Sequence, residues 1–165
     1  MVLLGGFEAM RVQTAKRKME QTQEAMQEIQ RALLGFITVN GFLPCAAANP
    51  ALPALPSGQA DCLLAPADGL LPWTTLGVKG VDPWGHHYRY HVAPAFTHVA
   101  TFPGAVGDLL IRDLPDSRDV ATQVALLVIS LGANGQWDSR INATRYRIGS
   151  DDILWWIPTY ILKYQ

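Results

Sequence analysis

Charge is scarce in this chain. Asp, Glu, Lys and Arg make up 16% of 165 residues, and the net charge is −1. No global field therefore directs it to nucleic acid or to an anionic membrane surface. Catalytic signatures are missing too: there is no phosphate-cradling glycine loop, no Gly-x-Ser-x-Gly elbow and no His-Glu-x-x-His helix. No run approaches the ~20 apolar residues of a membrane-spanning helix. Proline is absent before Pro44, and Gly35 is the one glycine between Gly6 and Gly41. Nothing in residues 7–40 therefore breaks a helix.

The sequence uses that freedom. Val12, Ala15, Met19, Thr22, Met26, Ile29, Leu33 and Phe36 recur at gaps of three and four, which puts them on one helical stripe. Arg11, Lys16, Arg17, Lys18, Glu20, Glu24 and Glu28 occupy other faces. A helix over residues 7–40 would be roughly 45–50 Å long, more than a small domain needs. The spacing also suits a coiled coil. Its seam is poor, however, with Ala15 and Thr22 in it, and the apolar face widens at Leu33, Leu34, Phe36, Ile37 and Val39. That widening predicts a helix that enters its own domain's core at the C-terminal end. Residues 1–6 read as the tail of a longer apolar helix flanked by basic residues, or equally as an arbitrary chain start.

Beyond Asn40-Gly41 the composition changes. Most of the 14 glycines and 11 prolines lie here, with Cys45 and Cys62 in a Pro/Ala-rich loop. Such a loop is suspect inside a compact domain unless it is constrained. A Cys45–Cys62 bridge would supply the constraint and stabilise by roughly 3 kcal/mol; two reduced thiols without a role are the alternative. Asp82-Pro83-Trp84-Gly85 is a turn. After it Tyr88, Tyr90 and Val92 alternate with His87, Arg89 and His91 as in a strand. His87 and His91 lie about 13 Å apart along such a strand, too far to share a zinc ion. Residues 124–130 form the most apolar run and should be the central strand. Residues 136–150 read as polar loop, and Ile153 to Ile157 as a last strand. The expected fold class is α+β: a spine helix over residues 1–40, then a head over residues 41–165 with a small antiparallel sheet against which the helix packs.

This order of features resembles the type IV pilin-like proteins, in particular minor pilins and the major pseudopilin of type II secretion. The matching pieces are the long helix ending in Asn40-Gly41-Phe42-Leu43-Pro44, then Leu71-Pro72-Trp73 and Leu76-Gly77. Asp82-Pro83-Trp84-Gly85 with Tyr88-Arg89-Tyr90 follows, then Ser130-Leu131-Gly132-Ala133-Asn134-Gly135 and Asp151-Asp152-Ile153. One departure is plain. The family begins with a Gly-Phe cleavage site and a hydrophobic helix of some twenty residues, which this sequence does not carry. Gly35-Phe36 and Gly6-Phe7-Glu8 are not that site.

The resemblance implies a non-enzymatic filament subunit in the bacterial cell envelope, periplasmic or extracellular. It would be anchored to the inner membrane through an N-terminal helix half missing here, with other pilin or pseudopilin subunits as partners. Val12, Ala15, Met19, Thr22, Met26 and Ile29 would bury against neighbouring helices. A similar loop in major pseudopilins holds calcium, which implies Asp138, Ser139, Asp151, Asp152 and the Leu131 carbonyl as ligands; Asn134 stands where the family often has aspartate. Two rival readings come from the residues. Arg140, Arg145 and Arg147 with Trp137 and Tyr146 suit a pilin that captures DNA, and the heptad-like stripe suits a coiled-coil adaptor.

Overall fold

The computed structural model describes residues 3–49, 56–65, 67–113, 118–142, 144–148 and 151–163. The chain is α+β. Helix α1 (Leu3–Asn40) precedes β1 (Asp68–Leu70), α2 (Trp73–Leu76), β2 (Arg89–Val92), β3 (Leu109–Arg112), β4 (Asp119–Ser130), β5 (Arg145–Arg147), β6 (Ile153–Pro158) and α3 (Thr159–Leu162).

The halves of α1 have different environments. Val12 and Met19 are exposed, at 70% and 41%, and Ala15 is exposed as well. Thr22, Met26, Ile29, Leu33 and Ile37 are buried, and the four apolar ones pack in a core with Tyr88, Tyr90, Val92, Leu126 and Val128. The buried set has the i, i+3/i+4 spacing of a single stripe, so the helix docks along one line. Thr22 fits that apolar line because its hydroxyl donates to the Lys18 carbonyl at 2.7 Å. Phe36, expected to face the sheet, is half-buried and packs edge-on against Phe42.

Gly41 ends the helix in the left-handed region, φ 75°, with its N–H bonded to the Ile37 carbonyl. The exit is pinned twice: the Tyr90 hydroxyl donates to the Pro44 carbonyl at 2.8 Å, and the Leu43 N–H to the Phe96 carbonyl. Cys45 and Cys62 are disulfide-bonded, as their shared loop predicts. Ala47 hydrogen-bonds Leu70 in both directions, which ties that loop to β1.

The sheet is mixed, which corrects the expectation of an antiparallel one. Along β4, β2 pairs with Leu126 to Ile129, β3 with the N-terminal half and β6 with the C-terminal half, all antiparallel. Strand β5 lies beside β3 and runs parallel to it, Ile111 opposite Tyr146. The edges of β4 are taken by β2, β3 and β6, so a short strand returning from the 131–144 loop finds its partner on β3. Both faces carry apolar clusters. One faces α1; the other gathers Leu109, Ile111, Leu127, Ile129 and Tyr146 beneath Trp137, Leu154 and Trp156. Trp155 and Trp156 accordingly pack in opposite clusters.

Candidate functional site

The turn at Asp82 and the loop after β4 meet. Asp82 is buried, and its Oδ1 accepts the N–H groups of Trp84 and His86 at 3.0 and 2.9 Å. Its Oδ2 accepts the Ser130 hydroxyl at 2.7 Å. His86 Nδ1 lies 3.0 Å from the Gly132 carbonyl oxygen. Gly132 has φ +61°, and a Cβ there would also strike the Asp151 carbonyl oxygen at 2.4 Å. A Cβ at Gly135 would come within 2.6 Å of His86 Nε2. The glycines are what let the loop close on its neighbours.

Farther along, Asn134 stands between two carboxylates. Its Nδ2 donates to Asp138 Oδ2 at 2.7 Å and to Asp151 Oδ1 at 3.0 Å, and its backbone N–H donates to Asp151 Oδ2. The amide orientation follows from the network, because Oδ1 accepts the Gln136 N–H at 2.7 Å. Ser139 donates its N–H to Asp152 Oδ2 at 2.7 Å. Burial pushes the Asp152 carboxyl up from its ordinary value, the bonds from Ser139 oppose that, and the charges of Asp151 and Asp138 add to it.

The expected calcium ligands Asp138, Ser139, Asp151 and Asp152 are thus brought together from the two sides of β5, with Asn134 among them. The Asn134 side-chain amide donates to both Asp138 and Asp151. The Leu131 side chain packs in the second apolar cluster, and its carbonyl, the expected ligand, is a separate group. Among the described residues no three His, Cys, Asp or Glu side chains form a metal-holding group. A neutral amide there offers its two N–H groups to two carboxylates and relieves their repulsion.

The basic and aromatic loop residues are largely committed inside the molecule. Arg140 lies over Trp137, 4.4 Å from the ring centroid, and pairs with Asp68 at 3.0 Å. Arg89 approaches the same ring at 5.1 Å, and Arg147 Nε donates to the Asp138 carbonyl. Tyr146 is buried beneath. Of the arginines expected at a DNA surface, Arg145 alone has no side-chain partner among the described residues. The histidines stay apart: His87 stacks on Trp73 at 4.9 Å, and His91 lies 3.8 Å from Asp108.

The stripe expected at a subunit interface divides. Thr22, Met26 and Ile29 are buried in this chain and cannot also cover a neighbour, so Val12, Ala15 and Met19 remain available. They are joined by Met10, 67% exposed, which the stripe had omitted. Met10, Ala15 and Lys18 line a groove floored by Trp84, with Lys18 Nζ 5.9 Å from the ring centroid. A fourfold step from Met10 to Thr14 and Lys18 could have revealed that line in the sequence. The part played by Trp84 could not have been read there.

No family model, curated protein or solved structure matches this chain.

Proposed function

We propose that this chain is a structural subunit, a minor pilin or pseudopilin, of a bacterial type IV pilus or type II secretion filament, and that it performs no catalysis. The observation that carries the reading is the unequal burial of α1. A helix anchored by Ile29, Leu33 and Ile37 projects Met10, Val12 and Met19 into solvent. Val12 and Met19 lie two turns apart on one face of that helix, and exposed apolar side chains aligned in this way are costly for a monomer and useful in an assembly. The Cys45–Cys62 bridge suits an oxidising compartment such as the periplasm. The sheet would then face outward, and other copies or related subunits would pack against the N-terminal half of α1.

The test places Val12→Glu and Met19→Glu together in the gene at its chromosomal locus. Loss of the subunit from sheared filaments, with an unchanged melting temperature of the purified chain, is the expected result. Normal incorporation would end the filament reading.

A further inference from the structure

Strand β6 pairs with β4 alone and lies at an edge of the sheet. The alternation of an antiparallel ladder decides which of its backbone groups are used. The Val92 N–H donates to the Ala67 carbonyl and the Leu71 N–H to the Tyr88 carbonyl, so Tyr88, Tyr90 and Val92 turn their backbone toward β1. Arg89 and His91 then turn theirs toward Ile129 and Leu127 of β4. That leaves Leu126, Val128 and Ser130 to bond Ile157, Trp155 and Ile153. The N–H and carbonyl groups of Leu154 and Trp156 therefore point away from β4, and no backbone hydrogen bond reaches them among the described residues.

Native sheets rarely leave such an edge bare, because its unpaired groups template another strand. The other edges of this sheet are protected. β1 exchanges bonds with Ala47 in both directions. β5 is short and carries Arg145 and Arg147, and its backbone also bonds Ser139 and Ile141. β6 has neither kind of protection. Ile153 to Ile157 contains no charged residue, proline or glycine. Leu154, Trp155 and Trp156 are only partly buried.

We propose that β6 pairs antiparallel with β6 of a second copy of this chain, Trp155 opposite the partner's Trp155. The register follows from the donors. Leu154 and Trp156 flank Trp155 symmetrically, so each meets the other residue of the partner strand with both its N–H and its carbonyl. A slip of two residues would call on Pro158, which has no N–H, or on Asp152, whose buried carboxylate already accepts the Ser139 N–H. The direction follows from charge. Antiparallel pairing puts Asp151 and Asp152 of the two copies at opposite ends of the joined strands, whereas parallel pairing would set these carboxylates side by side. Trp155 falls at a non-hydrogen-bonded position, where facing side chains approach most closely and add apolar contact. The contact uses the same edge of both chains, so it closes at a dimer.

This edge is separate from the α1 surface of the filament reading and is tested on the purified chain. Sedimentation equilibrium should show a dimer that forms with rising concentration, and a weak one, because a single strand pair is smaller than a standard interface. Amide exchange read by NMR locates it. The Leu154 and Trp156 amides should exchange freely in dilute protein and become protected as the dimer forms. The Trp155 and Ile157 amides, bonded to β4, should be protected at both concentrations. Leu154→Pro removes an outward N–H and keeps the bonds to β4; it should weaken dimerisation about tenfold, the scale of the backbone bonds lost. Val12→Glu combined with Met19→Glu should leave dimerisation unchanged. A chain that stays monomeric at millimolar concentration overturns the proposal. So does a dimer in which the Leu154 and Trp156 amides remain unprotected, or one that disappears in the Val12→Glu, Met19→Glu variant.

Discussion

The Ser130 hydroxyl donates to the Asp82 carboxylate at 2.7 Å, and both side chains are buried. One residue ends the longest strand; the other opens the turn before β2. This bond joins the two loops whose sequences stood out separately. Ser130→Ala should destabilise the fold by about 1–3 kcal/mol, because it leaves a buried carboxylate oxygen short of a donor. Urea unfolding of the two proteins measures this, and a loss much below that range would mean that water replaces the hydroxyl.

Leu33 and Met19 provide an internal comparison on one helix. Leu33 is wholly buried, whereas Met19 is 41% exposed. Leu33→Ala should cost about 2–5 kcal/mol. Met19→Ala should cost a small fraction of that, as judged from midpoints under identical conditions. Equal losses would show that α1 is buried along its whole length.

Asn134 decides the response to calcium. With its amide bridging Asp138 and Asp151, the melting temperature should be the same in calcium and in chelator. Asn134→Asp replaces the N–H donor by a third carboxylate. That variant should melt lower than the parent in chelator and recover when calcium is added. A calcium response in the unaltered chain would show that the amide turns away.

The Asp152 carboxyl gives a pH signature. Its value is raised in the folded chain, chiefly by burial. The folded state therefore holds this proton more tightly than the unfolded one. The associated stability is fully present below the ordinary aspartate value and is lost as pH rises through the raised value. Relative to Asp152→Asn, the parent should become progressively less stable from acid to neutral pH. Melting curves of both proteins across that interval provide the check, and a constant difference would count against it.

Reduction should loosen the segment between Cys45 and Cys62 first. The bridge closes a separation of 17 residues, worth about 3 kcal/mol in the chain-entropy model. Alkylation without reductant, read by mass, should leave both thiols unmodified. Two alkylated cysteines in an oxidised preparation would contradict the bridge.

The fold was legible in the sequence where periodicity was strong. The gaps of three and four from Met26 to Leu33 marked the docked stripe, and the alternation at Tyr88, Tyr90 and Val92 marked its partner face. Strand β5 was not legible. Its three residues, Arg145–Arg147, alternate too briefly to stand out, and their pairing with β3 depends on which edges β4 leaves open. β1 was hidden similarly among loop residues, held in register by its bonds to Ala47. At the candidate site, the residues that gather in the 131–152 segment could be named, but the meaning of Asn134 could not. Whether an amide bridges two carboxylates or a cation does is settled by which atom faces them.

Strand β4 has a consequence for how the chain is made. Its partners lie at Arg89–Val92, Leu109–Arg112 and Ile153–Pro158. During synthesis the most apolar strand of the protein leaves the ribosome some twenty residues before β6 can cover its C-terminal half. A strand edge left open in that way pairs readily with another chain. Completion of the sheet waits for β6, far along the chain from β2, so folding should be slow and governed by distant contacts. Ile153 to Ile157 is thus the segment that shields the nascent protein from its own kind.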